Sequence, residues 1–308
     1  MVSGLTDNNA GEVFLINTAD RDFGVRTLLS KINLENMTGR TAAIKANFNS
    51  ADPFPATTHL DTLKAIVEVL KEKGASDLTL AERSGMGNTR NVLDQLGVFE
   101  LAEKMGFRVV VLDEEKKENW VKMEKKGTHW LRGFYLAKMV LHSDRVIQTC
   151  CLKTHRFGGH FTMSLKNSVG LVAKKVPKCL YNYMMELHGS PYQRLMIAEV
   201  NQFYRVDAVV MDAITAFISG GPDRGKMVEP HLMLASRDRV AIDAVGLAIL
   251  RNSGSTSLRN GKIFELEQIR RAAELGIGVK SASEIKLKPL DEKSQAAARL
   301  IQNSLTQE

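Results

Sequence analysis

Apolar and polar positions follow two rhythms along this chain. Short apolar runs at Glu12 to Asn17, Thr41 to Asn47, Asp77 to Ala81 and Phe107 to Leu112 read as buried strands. Between them apolar residues recur at helical spacing, from Phe23 to Ile32, from Thr57 or Thr58 to Lys73, and from Asn88 or Thr89 to Met105. In the second of these, Leu63, Ile66, Val67 and Leu70 make one stripe, a threonine supplies the cap, and Gly74 provides the stop. Strands and helices in strict alternation with short links predict a parallel sheet with right-handed crossovers.

The second half is less regular. Glu114 to Thr128 reads as a charged connector or edge hairpin, and Leu131 to Leu141 as a helix. Strands are predicted at Asp144 to Thr149, Val206 to Asp212 and His231 to Ser236. Helices are predicted at Tyr192 to Phe203, Asp238 to Leu250, Lys262 to Leu275 and Gln295 to Leu305. Ser219 to Gly225, rich in glycine, reads as a flexible turn. The expected fold class is α/β: a mainly parallel sheet with helices on both faces, an arrangement that also accommodates two α/β lobes with a cleft between them. The expected divisions are a mobile N-terminus over 1–11, lobes over 12–128 and 129–290, and a C-terminal helix or tail over 291–308.

One stretch, Thr149 to Gly170, concentrates the chemistry. It holds Cys150 and Cys151, His155 and His160, Lys153 and Lys166, a Gly158-Gly159 pair, and Asn167, between a predicted strand and a predicted helix. Open α/β sheets place ligands at such strand ends. At about 100° per residue, Leu165, Val169 and Val172 share a face while Met163 and Leu171 lie elsewhere, so the expected helix is apolar nearly all round. Lys166 and Asn167 sit in its middle, where an ammonium and an amide both need partners. Lys166 either snorkels to solvent or pairs with an anion and moves a proton.

Other strand ends carry comparable decorations: Lys45 and Asn47, the run Glu82-Arg83-Ser84-Gly85-Met86-Gly87-Asn88-Thr89, and Asp212. The Ser84 to Thr89 run precedes a helix and offers backbone N–H groups to an anion, or is simply a turn. His155 and His160 can converge on a metal, although the loop supplies no carboxylate and the vicinal cysteines lack metal-site spacing. Inert packing is the favoured reading for those cysteines.

Composition narrows the field. Apolar and charged fractions of 44% and 25% are those of a soluble globular protein. Three cysteines fit a reducing cytoplasm. The polar start MVSGLTDNNAGE lacks the pattern of a secretory signal, and no window is apolar enough to span a membrane. The net charge of +7 is spread among acids, with few aromatic residues, which argues against nucleic acid.

Lys153-Thr154-His155 followed by Thr162-Met-Ser-Leu-Lys166-Asn167-Ser-Val-Gly170 resembles the signature of the family catalogued as "domain of unknown function 362". The likeness extends to Lys45-Ala-Asn47, Thr57-Thr-His59, Gly220-Gly-Pro222 and the run from Ser236 to Ala244, covering about residues 12 to 280. Ala46 stands where the family usually has proline. Many relatives carry a fused ferredoxin-like segment with eight cysteines, which this chain lacks, so the resemblance implies no Fe–S cluster held by this chain. In architecture the family is also similar to the nickel-pincer lactate racemase group, but no catalytic motif of that group aligns here.

The first functional expectation is an enzyme that takes a small carboxylate or phosphate at the strand ends. Lys153 and Lys166 neutralise it, His155 moves a proton, and Lys45, Asn47, Ser84, Gly85, Thr154, Asn167 and Asp212 orient it. A metal ion, if any, is recruited by His155, His160 or Asp212. The second is a non-catalytic partner of an iron–sulfur or redox system, suggested by the fused relatives. The expected partners are a small anionic ligand and either a second copy of the chain or a redox protein, with no nucleic acid and no membrane.

Overall fold

The computed structural model describes residues 11–34, 37–157, 160–258 and 261–306. The expected mobile N-terminus (all but Gly11) and the Gly158-Gly159 pair lie outside the described residues. The described residues form twelve strands: β1 (Glu12–Asn17), β2 (Thr41–Lys45), β3 (Asp77–Glu82), β4 (Arg108–Val111), β5 (Trp120–Met123), β6 (Phe134–Ala137), β7 (Arg145–His155), β8 (His160–Thr162), β9 (Ala208–Gly220), β10 (Gly225–Val228), β11 (Leu232–Ser236) and β12 (Lys286–Pro289). Ten of them form one sheet in the order β12-β1-β11-β9-β7-β2-β3-β4, with β10 paired to β9 and β8 to β7. On that path only β11 runs antiparallel to its neighbours. The sheet crosses residue 128 without a break, and β1 lies between β11 and β12.

Each face of the sheet has its own core, as period-two alternation requires. On β9, Ala208 and Val210 pack with one cluster while Val209 and Met211 pack with the other. The first face is covered by helices Arg21–Lys31, Leu60–Glu72, Thr89–Gln95 and Val98–Met105. The second carries Gln193–Val200, Arg239–Asn252, Glu267–Glu274 and Glu292–Thr306. The helix expected from residue 88 to 105 is two helices, because Gly97 at φ 73° takes a left-handed conformation between them. His59, rather than Thr57 or Thr58, caps Leu60–Glu72, its Nδ1 accepting from the Asp61 N–H at 3.2 Å. Thr58 instead accepts the Asn47 N–H, tying the end of β2 to this loop.

The expected helix over 131–141 is corrected. Phe134–Ala137 is a strand paired with β5, and only Lys138–His142 is helical. Both central strands are longer than expected. β7 runs on to His155 and β9 to Gly220, and the expected flexible turn is a hairpin between β9 and β10. Polar side chains in those extensions mimic a loop in the sequence, yet all of β7 beyond Arg145 is buried. No described helix is long and apolar enough to cross a membrane.

Candidate active site

The parallel strands β2, β3 and β7 all end on the same edge, and their last residues open into one cavity of about 780 Å³. Lys45, Glu82, Lys153 and His155 come from the strand ends, and Thr162 from β8. After β8 the chain makes one α-turn, Ser164–Asn167, then a 3-10 turn, Ser168–Leu171. The long buried helix expected here is therefore two short turns. Asp243 anchors them: its Oδ1 accepts from the Ser164 N–H at 2.8 Å and the Ser164 hydroxyl at 2.6 Å, and its Oδ2 from the Leu165 N–H at 3.0 Å. Burial pushes this carboxyl up to about 7.

That anchored turn aims Lys166 and Asn167 at the strand ends, where their fates differ. Asn167 is consumed by structure. Its Oδ1 accepts from Lys45 Nζ at 3.1 Å, and its Nδ2 donates to the Thr149 carbonyl at 3.1 Å. Lys45 is itself paired with Glu82 at 2.8 and 2.9 Å. Burial lowers the lysine and raises the glutamate, each opposed by the attraction between them. Gly170 makes room for this arrangement, since a Cβ there would lie 2.6 Å from Lys45 Cε.

Among the described residues, Lys166 Nζ has one hydrogen-bond partner, His155 Nε2, at 3.0 Å. The Phe157 N–H donates to Nδ1 of the same ring at 3.2 Å. With Nδ1 accepting, the neutral ring carries its proton on Nε2, pointed at Lys166, which then accepts as an uncharged amine. Electrostatics agree. Burial, then Lys153 and Arg83, lowers Lys166 to about 7. Burial, then Lys166 and Lys153, lowers His155 to about 2. Lys153 is fully buried, donates to the Ala56 carbonyl, and is likewise lowered by burial. Among the described residues neither Lys153 nor Lys166 has a carboxylate partner.

The family described as Domain of unknown function (DUF362) matches residues 42–248. The chain belongs to that family. No curated protein matches it. Among solved structures, the lactate racemase apoprotein from Thermoanaerobacterium thermosaccharolyticum is similar over 78% of this chain and 57% of its own length, at 14% identity and a TM-score of 0.49. The chain thus spans little more than half of that protein.

The family's matched segment contains every residue named as a site from the sequence, but the structure does not bring all of them together. Lys45, Asn47, Gly85, Lys153, His155, Lys166 and Asn167 line the cavity. Ser84, Thr154 and Asp212 do not. Asp212 lies within β9, well before its end, and is held by Arg21 at 2.8 Å and the Thr62 hydroxyl at 2.8 Å. Ser84 donates its hydroxyl to the Phe48 carbonyl, and Thr154 donates to the carbonyls of Phe217 and Gly220. The expected anion-binding loop is closed on itself: the N–H groups of Ser84, Gly85 and Met86 go to Thr89 Oγ1, Asn49 Oδ1 and the Asn49 carbonyl.

His155 and His160 face each other across the hairpin, in register. Both nitrogens of His155 are engaged, and no group of three His, Cys, Asp or Glu is placed to hold a metal among the described residues. The vicinal cysteines are buried, with Cys151 pushed up to about 12 by burial, which suits inert packing. Glu82 and Arg83 stand in a decorated strand end read from the sequence, but their roles were not: Glu82 pairs with Lys45, and Arg83 donates to the carbonyls of Val169 and Val172 at 2.8 Å; the wall supplied by helix Tyr183–Gly189 was missed altogether. Asn182, whose side chain caps that helix, was the available signal.

Proposed function

We propose that this protein is an enzyme that binds an anionic substrate, a carboxylate or phosphate, in the cavity at the strand ends and moves a proton on it. One observation carries the reading. Among the described residues, two lysines without carboxylate partners line the same cavity, and burial lowers one of them to about 7. Lys153, fixed by the Ala56 carbonyl, holds the negative charge. Lys166, at about 7, is divided between amine and ammonium at neutral pH, the condition that suits a general acid or base. His155, its ring pinned by the Phe157 N–H, orients that amine through its Nε2–H, and Lys166 itself is the group that takes up or gives the proton. Charge on the substrate draws Lys166 toward the ammonium form, so binding takes up a proton above pH 7.

The test has two stages. A panel of carboxylic acids and phosphates is screened by thermal shift against the parent and Lys166→Met, since ligands of the native state raise its melting point. Acids that bind are then incubated in heavy water and followed by NMR for deuterium at carbon. The parent exchanges a substrate proton and Lys166→Met does not. Binding without exchange for every acid in the panel contradicts the catalytic part, and no binding by any of them contradicts the site.

A further inference from the structure

The cavity is far larger than a small inorganic or two-carbon anion needs. Its volume, about 780 Å³, falls in the ~300–1,000 Å³ range of pockets that enclose drug-sized ligands. Its two sides also differ in chemistry. The strand ends and the Ser164–Asn167 turn present Lys153 and Lys166. Apolar contributions come from elsewhere: Met184, Met185 and Leu187 from helix Tyr183–Gly189, which also brings His188 to the wall, Met86 from the segment after β3, and Phe157 beside His155.

Three of these apolar groups stay open to solvent. Met86, Phe157 and Met185 are 39%, 51% and 73% exposed. They are three of the nine large apolar side chains exposed among the described residues, and all three border this one cavity. Methionine adapts its shape to varied apolar partners at low cost. At the polar end, Asn47 Oδ1 and Thr162 Oγ1 are buried without a hydrogen-bond partner among the described residues, and Thr162 lies opposite Lys153 in the β7–β8 pairing. Buried polar atoms left unpaired at a cavity wall call for a polar group on whatever fills it.

We infer that the ligand is amphipathic: an anionic head, carboxylate or phosphate, beside Lys153 and Lys166, joined to an apolar body that lies against Met86, Phe157, Met184, Met185 and Leu187. This rests on the anion-binding reading and deepens it, by naming the body as well as the head. The head supplies orientation at the strand ends. The body accounts for the volume and for the exposed methionines at the mouth.

Calorimetric titration of the full-length protein with acetate, butanoate, hexanoate and octanoate tests the proposal, with octanamide as the uncharged control. Inorganic phosphate and hexyl phosphate form a parallel arm. Affinity is expected to rise about three- to fourfold for each methylene buried, along the carboxylates or along the phosphates according to the head the site accepts. Octanamide is expected to bind at least tenfold more weakly than octanoate. Met185→Ser, a change at an exposed position, flattens the rise while leaving acetate unaffected. Equal affinity for acetate and octanoate overturns the apolar body and leaves the anion site standing. Octanamide binding as well as octanoate overturns the anion site instead. Failure of every member to bind overturns both.

Discussion

Lys45 and Lys166 border the same cavity, yet the chain treats them in opposite ways. Lys45 has a glutamate at 2.8 Å, an asparagine oxygen at 3.1 Å and a glycine that clears space for its stem. Lys166 has a neutral imidazole at 3.0 Å and neighbouring positive charge. A cation provided with a carboxylate is structure. A cation denied one keeps its electrostatic demand open, and that demand is what a ligand can satisfy. The contrast also explains why Asn167, next to Lys166 in the chain, is not free to bind anything: it completes the cage around Lys45.

The sharpest way to break this contrast is to remove the carboxylate. Glu82→Gln leaves Lys45 buried without a countercharge and is expected to cost about 3–5 kcal/mol, read from denaturant unfolding. A loss below 1 kcal/mol would show that the pair is not what holds Lys45. Gly170→Ala drives a methyl group into the stem of Lys45 and is expected to cost about 1–3 kcal/mol by overpacking.

Lys166→Met has the opposite sign. The folded-state pKa of Lys166, about 7, lies below its ordinary value of 10.5. The folded protein therefore binds fewer protons than the unfolded chain between those pH values, and parental stability rises with pH across that window. The penalty is fully present below pH 7 and gone above 10.5. Lys166→Met escapes it, so the variant is expected to be about 1–2 kcal/mol more stable than the parent at pH 6, with the advantage fading by pH 10. A variant less stable than the parent at pH 6 would contradict an unpaired Lys166. The smallest effect is expected from Asp212→Asn, which weakens the Arg21 contact but lies outside the cavity. Ligand affinity should stay within about twofold of the parent's, because the site makes no contact with it.

Much of the scaffold was legible because its signals are local. β1 to β4 and the helices between them follow from period, although the His59 cap and the break at Gly97 do not. The site was legible only in part. Lys153, His155 and Lys166 announce themselves as polar residues in apolar surroundings, and the structure does bring them together. The end of β7 did not look like a strand, since Lys153, Thr154 and His155 carry polar side chains of the kind that mark a loop. Asp212 misled for the same reason: β9 continues past it, so it is not at a strand end. Long-range partners left no local trace. Glu82 meets Lys45 across 37 positions and Asp243 meets Ser164 across 79. The apolar wall sits on a seven-residue helix too short to show a stripe.

The central claim is that Lys166 is an amine of near-neutral pKa waiting for an anion. A pH titration of the lysine 13Cε signals by NMR tests it most directly, with the Lys166 resonance assigned by its loss in Lys166→Met. The expected midpoint is near 7 in the free protein, moving upward when a binding acid is added. A midpoint near 10.5, unmoved by any acid that binds, would contradict the account.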